Sequence, residues 1–207
     1  GTQTKLLVKR LKQENYPVEV TDFPQYGQKS AALVEEYLNG KFGTADEVGP
    51  YRGSIFYACD RYEASFRMHK WLKEGKIIVS NRYVSANMGH QAGKIKELAE
   101  RDKFLNWLED LEYNIFGIPR PDKNILLYMP PEVAQKLVDE KGHRDYIGGH
   151  KRDIHEDDLP HLKNAASAYS YVAKKYNWTT INCAKDNKAL PRETIHEMVW
   201  NEVKKII

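Results

Sequence analysis

The spacing of short apolar runs constrains this chain more than any other feature. Pro17-Val18-Glu19-Val20-Thr21-Asp22, Ile77-Ile78-Val79, Asn124-Ile125-Leu126-Leu127-Tyr128-Met129 and Thr179-Thr180-Ile181-Asn182 read as strands. Segments with helical periodicity separate them. The expected fold class is therefore α/β, a parallel sheet flanked by helices with right-handed crossovers. Ile77-Ile78-Val79 shows no polar alternation, as in a strand buried on both faces of a parallel sheet.

The helical segments carry their own punctuation. Gly1-Thr2-Gln3-Thr4-Lys5 opens a helix whose apolar face is Leu6, Leu7, Val8 and Leu11. An α/β domain rarely opens on a helix with no strand before it, so a further segment is expected upstream of Gly1. A short helix from Lys29 or Ser30 to Leu38 is stopped by Gly40. A long helix over about 51–73 places Ile55, Cys59, Tyr62 and Phe66 in one stripe, suited to core or to a subunit interface. A second long helix, about 92–116, carries Ile95, Leu98, Leu105, Leu108 and Leu111 and ends at Gly117-Ile118-Pro119. Pro131 opens a helix to about residue 140, another runs to about 176, and the last spans Pro191 to Ile206 after a loop over 183–187.

Composition narrows the class further. The 207 residues are ample for one α/β domain and short for two. The net charge of +3, without a long block of like charge, gives no footprint for nucleic acid or a membrane surface. No apolar run approaches a membrane span, and no signal peptide is visible. Cys59 and Cys183 stand far apart with no metal or redox spacing, which points to reduced thiols in a cytoplasmic protein.

Functional chemistry concentrates in three places. At Ser80 the apolar run Ile77-Ile78-Val79 stops and Asn81, Arg82, Tyr83, Ser85, Asn87, His90 and Gln91 follow. Ligands of open α/β sheets sit beyond the carboxyl ends of strands, and this residue set suits an anion with hydrogen-bonding edges. The bland alternative is a strand end entering a polar loop. On the long helix, Tyr57 and Arg61 share a face one turn apart, where a ring can stack on a base and a guanidinium can grip a phosphate. The alternative is a second packing face with a surface arginine. Lys141-Gly142-His143-Arg144-Asp145-Tyr146-Ile147-Gly148-Gly149-His150-Lys151-Arg152 is a glycine-flanked basic loop, either a lid over an anionic ligand or a solvated connection.

Five motifs occur in a telling order: Gly1-Thr2-Gln3-Thr4 before a Lys/Leu-rich helix, Phe23-Pro24-Gln25-Tyr26-Gly27 after a strand, Ile55-Phe56-Tyr57-Ala58-Cys59-Asp60-Arg61-Tyr62, the Asn81-Arg82-Tyr83 stretch, and the basic loop with Asp153-Ile154-His155-Glu156. Together they resemble the thymidylate kinases, P-loop nucleoside-monophosphate kinases, over nearly the whole chain. The resemblance implies a three-layer P-loop kinase fold in one domain, 1–207, with a short basic lid over about 141–153. It also implies that the glycine-rich phosphate loop, its lysine and the first strand would lie upstream of Gly1.

The resemblance assigns roles residue by residue. Gly1, Thr2 and Gln3 follow the phosphate loop and would border ATP, as would Lys151 of the lid and Lys185 beside adenine. Phe23 and Pro24 would wall the thymine or sugar, and Tyr26 would sit near the monophosphate. Tyr57 would stack on thymine and Arg61 would bind the nucleotide phosphate. Arg82 would contact the phosphates in transfer, with Arg144 and Arg152 closing from the lid. Asn87 and Gln91 would face the base, His90 stands where a tyrosine often excludes a ribose 2′-hydroxyl, and Asp153 and Glu156 would border the nucleoside. Asn81 departs from the usual aspartate and lacks the charge that would help position magnesium. The implied activity is transfer of the ATP γ-phosphoryl group to dTMP with Mg2+, in a homodimer. As written, without its phosphate loop, the chain is expected to be inactive. A kinase for another deoxynucleoside monophosphate, or a nucleotide-binding protein without catalysis, are the alternatives that Asn81, His90 and the expected upstream loop leave open.

Overall fold

The computed structural model of the chain describes residues 1–139 and 159–207. All four expected strands are present and parallel. β1 (Val18–Asp22) pairs with β2 (Ile77–Asn81), Val18 opposite Ile77 and Asp22 opposite Asn81. β3 (Ile125–Tyr128) pairs with β4 (Thr179–Asn182), Ile125 opposite Thr179. One continuous sheet was the expectation; among the described residues the strands form two separate pairs. Between the pairs runs a cavity of about 700 Å3, walled by residues of β2 and β3 but none of β1 or β4. The facing edges are therefore those of β2 and β3. This explains why Ile77, Ile78 and Val79 are half-buried instead of fully enclosed, and why Leu127 of β3 is 38% exposed.

Helices cover the strands by burying apolar stripes. α1 (Thr2–Gln13) sets Leu7 and Leu11 against Ile195, Val199, Trp200 and Val203 of α8 (Arg192–Val203) and Ile181 of β4. α2 is Ala32–Leu38, preceded by a 3-10 turn at Lys29–Ala31. α3 (Ala45–Lys73) starts earlier than expected, because Thr44 and Glu47 form a reciprocal capping box. Its path breaks at Gly49, whose φ of 75° admits Pro50 without a clash in a helix interior. The stripe of Ile55, Cys59, Tyr62 and Phe66 does not enter the core: Ile55 is 40%, Tyr62 42% and Phe66 66% exposed, and Cys59 is exposed too.

The segment after β2 corrects the expectation twice. The polar stretch is a helix, α4 (Val84–Ala92), and the single helix over 92–116 is instead α5 (Leu98–Glu109) continued by a π-helical segment, Asp110–Ile115. The helical signal was present in Val84, Met88 and Ala92, spaced four apart and all buried, but polar neighbours masked it. α4 packs between α3, α5 and α7 (Leu159–Lys175) in a core that includes Met68, Phe104, Leu105, Leu108 and Val172. α6 (Pro131–Asp139) follows β3. The loop expected over 183–187 forms a hairpin, β5 (Ala184–Lys185) with β6 (Lys188–Ala189). Asp186 and Asn187 both take positive φ there, as a two-residue hairpin turn of the I′ kind requires.

Lys94, just past α4, donates to the Tyr37 hydroxyl at 2.9 Å and to the Ala45 carbonyl at 3.0 Å. Burial pulls its pKa down to about 8, and the opposing charge of Asp46 only partly restores it. The unfolded lysine titrates near 10.4, so between roughly pH 8 and 10.4 the unfolded chain holds more protons and stability rises with pH. That stabilisation is complete above the unfolded pKa and gone once the pH falls through the folded one. The melting temperature of wild type minus that of Lys94→Met is expected to grow between pH 8 and pH 10; a constant difference would refute it.

Candidate functional site

Parallel register brings the ends of β1 and β2 level, and the site starts there. Asn81 Nδ2 donates to Asp22 Oδ1 at 2.9 Å, and the Gly1 amine donates to Asn81 Oδ1 at 3.2 Å. The start of α1 thus lies beside the carboxyl ends of both strands. Arg82 follows, exposed, with φ 61°. Ser80 Oγ bonds the Arg82 carbonyl at 2.5 Å and braces this left-handed turn. Tyr83 turns inward: its ring lies 5.8 Å from that of Phe23 and its hydroxyl donates to the Pro119 carbonyl at 2.9 Å. Burial pushes that hydroxyl's pKa well above the usual tyrosine range.

The Phe23–Pro24 peptide is cis and both residues are buried. Asp60 holds the turn that follows. It accepts from the Gln25 backbone N–H at 2.8 Å and from Ser30 Oγ at 2.6 Å, and Gln25 also contacts Arg67. Tyr26 beyond it is exposed at 36%. Sequence reasoning passed over Asp60; its signal was an acid adjacent to an arginine on a helix.

Tyr57 is half-buried, edge-on to Tyr37 at 6.3 Å and 88°. One turn on, Arg61 is not the surface arginine of the alternative reading: the side chain is only 2% exposed and is gripped by Glu112, itself fully buried. Nε lies 2.9 Å from Oε2 and 3.2 Å from Oε1, and Nη2 also bonds Oε1. Nη1 donates to nothing among the described residues. Glu112 was missed too. It falls four residues after Leu108 on the apolar side of its helix, and a carboxylate in that register calls for a buried partner.

α4 supplies the facing wall. Asn87 is buried and donates to the Ser54 carbonyl of α3 at 3.2 Å. Gln91 is buried against Gly53, where an added Cβ would lie 3.3 Å from Gln91 Oε1. Gln91 Oε1 and Ser54 Oγ are both buried without a hydrogen-bond partner among the described residues, so polar atoms are left over between α3 and α4. His90 is half-buried, edge-on to Tyr169 at 5.3 Å and 84°.

The remaining expected residues scatter. Thr2 is exposed, and Gln3 Nε2 donates to the Arg192 carbonyl at 2.9 Å. Lys185 is exposed on the β5–β6 hairpin. Arg144, Lys151, Arg152, Asp153 and Glu156 lie outside the described residues. Among the described residues no three His, Cys, Asp or Glu side chains cluster as a metal cage. What the strand ends offer is oxygen: the Asp22 carboxylate and the Asn81 amide oxygen. That set fits Mg2+ carried in on nucleotide phosphates, since this ion keeps waters and takes one or two carboxylates from protein.

Comparison with known proteins bears on this arrangement. The thymidylate kinase family pattern matches residues 1–195. A thymidylate kinase of Mycobacterium tuberculosis (strain CDC 1551 / Oshkosh) is 29% identical over 153 residues, 73% of this chain and 69% of that protein. A probable thymidylate kinase of Thermococcus onnurineus (strain NA1) is 32% identical over 67% of this chain, and this chain spans 64% of its length. The thymidylate kinase of Plasmodium falciparum (isolate 3D7) is 24% identical over all of this chain and 84% of its own.

Proposed function

Because the chain belongs to the thymidylate kinase family, we propose that it moves the γ-phosphoryl group of ATP to dTMP, giving dTDP and ADP. The family match over residues 1–195 carries this reading. A phosphate oxygen of dTMP forms the new bond to the γ-phosphorus, and the bond to the oxygen bridging to ADP breaks. That attacking oxygen is already anionic at neutral pH, so no strong base is needed, and positioning with charge neutralisation supplies the catalysis. Mg2+, when bound, neutralises charge on the ATP phosphates. Asp22 and Asn81 are the residues that would hold it, and Asp22 restores the carboxylate that Asn81 lacks.

Arg82 projects from the strand ends toward the transferring group, while Tyr57, Asn87, Gln91 and the Phe23–Pro24 turn enclose the nucleoside. Arg61 reaches the nucleotide through Nη1. Residues 1–207 act as one kinase domain, to which Arg144, Lys151 and Arg152, outside the described residues, would bring positive charge for the ATP phosphates. The exposed stripe of Ile55, Tyr62 and Phe66 supports a homodimer through α3. Two free cysteines support a cytoplasmic location. No helix among the described residues is long and apolar enough to cross a membrane.

The test is ADP release from the full-length gene product with ATP, Mg2+ and a panel of nucleoside monophosphates. dTMP is expected to give the highest kcat/KM; another monophosphate ahead of it would overturn the assignment.

A further inference from the structure

We infer that Glu112 is a positioning residue for the monophosphate nucleotide, holding Arg61 by its Nε–Nη2 edge so that Nη1 remains the donor for the ligand. The inference rests on the reading that the nucleotide lies along α3 beside Tyr57.

The geometry of the pair comes first. Arg61 and Glu112 are 2% and 0% exposed, so both charges have left water. Such a pair is weak evidence for stability, because desolvation offsets most of the attraction and apolar packing does as well or better. Orientation is what a two-point grip supplies. A guanidinium is a planar fork, and fixing one edge fixes the direction of the other. An arginine already held needs less ordering when a ligand arrives. The remaining Nη1 group faces no protein acceptor among the described residues, although the side chain is buried.

Glu112 is itself held from several sides. It lies within the π-helical segment Asp110–Ile115, a wider turn that recurs at functional sites. Its carbonyl accepts from the Ile118 N–H at 3.1 Å, across Gly117 with φ 63°. His69 of α3 is hydrogen-bonded to the Gly117 carbonyl at 2.9 Å, and Tyr83 donates to the Pro119 carbonyl. The π segment is therefore tied to α3, which carries Tyr57 and Arg61, and to the turn that carries Arg82. These ties hold the carboxylate in register with the arginine.

Glu112→Gln keeps the shape but loses the two-oxygen grip. It is expected to raise the KM for dTMP at least tenfold, with kcat within threefold and the KM for ATP unchanged. The rise in melting temperature induced by dTMP should shrink, while that induced by ATP persists; a merely structural glutamate would not separate the two ligands. A folded Glu112→Gln protein with a dTMP KM and a dTMP-induced shift within twofold of wild type would overturn the inference. Should that variant show no cooperative melting, Glu112→Asp, which keeps the charge but withdraws it by one methylene, is read the same way. An intermediate KM rise supports the inference and wild-type values overturn it. Wild-type protein with no response to dTMP removes the proposed function and this inference together; a normal wild-type response with unaffected Glu112 variants removes this inference alone.

Discussion

Arg82→Ala is expected to lower kcat for dTMP phosphorylation by roughly 100- to 1000-fold, with the KM for dTMP changed only a few fold. Removing one preorganised donor aimed at developing charge typically has an effect of this size, and charge neutralisation supplies most of the catalysis in phosphoryl transfer. Arg82 is exposed, one residue past the carboxyl end of β2, where Asn81 stands level with Asp22 across the parallel register. Its side chain is exposed and no part of the buried core, so the substitution should leave folding intact. Steady-state kinetics beside a thermal melt separate the cases. A kcat within fivefold of wild type, at unchanged melting temperature, would remove Arg82 from the reacting centre.

Gly89→Ala is expected to lower the melting temperature by roughly 3–10 °C, from an overpacking cost of about 1–3 kcal/mol in a chain of this size. Gly89 lies on α4 where it meets α7. A Cβ there would sit 2.3 Å from Tyr169 Cζ and 2.4 Å from Cε1 and Cε2. The ring has little room to yield: its hydroxyl bonds the Ala86 carbonyl at 3.4 Å and His90 packs against it edge-on. On propensity alone, alanine would stabilise a helix by about 1 kcal/mol relative to glycine, so the measured sign decides whether the clash wins. Combining Gly89→Ala with Tyr169→Leu should recover part of the loss. An increase in melting temperature for Gly89→Ala alone would show that α7 moves away freely.

The strands were legible because each run is short, apolar and bounded by polar or proline residues; Ile77–Val79 and Ile125–Tyr128 needed nothing more. α4 was not. Its buried apolar residues, Val84, Met88 and Ala92, are interleaved with polar ones: Asn87 and Gln91 meet α3, and His90 meets α7, in the folded chain. A polar side chain that satisfies a buried neighbour looks, in sequence, like a solvated one. Arg61 was legible only in part, for the same reason: spacing placed it on Tyr57's face, but only the fold brings Glu112 to it, 51 residues later. Asp22 had no signal at all until strand register set it beside Asn81.

The left-handed backbone of Arg82 has a further consequence. An L-residue with φ near 61° sits in a region that costs about 1–2 kcal/mol relative to the right-handed one, a penalty glycine escapes. Thermostability and turnover therefore pull in opposite directions at this position. Selection for heat resistance alone would drift toward Arg82→Gly, gaining a more relaxed turn while discarding the guanidinium the reaction uses. A library enriched by melting temperature would have to hold this codon fixed, because its stability optimum and its functional optimum are different amino acids.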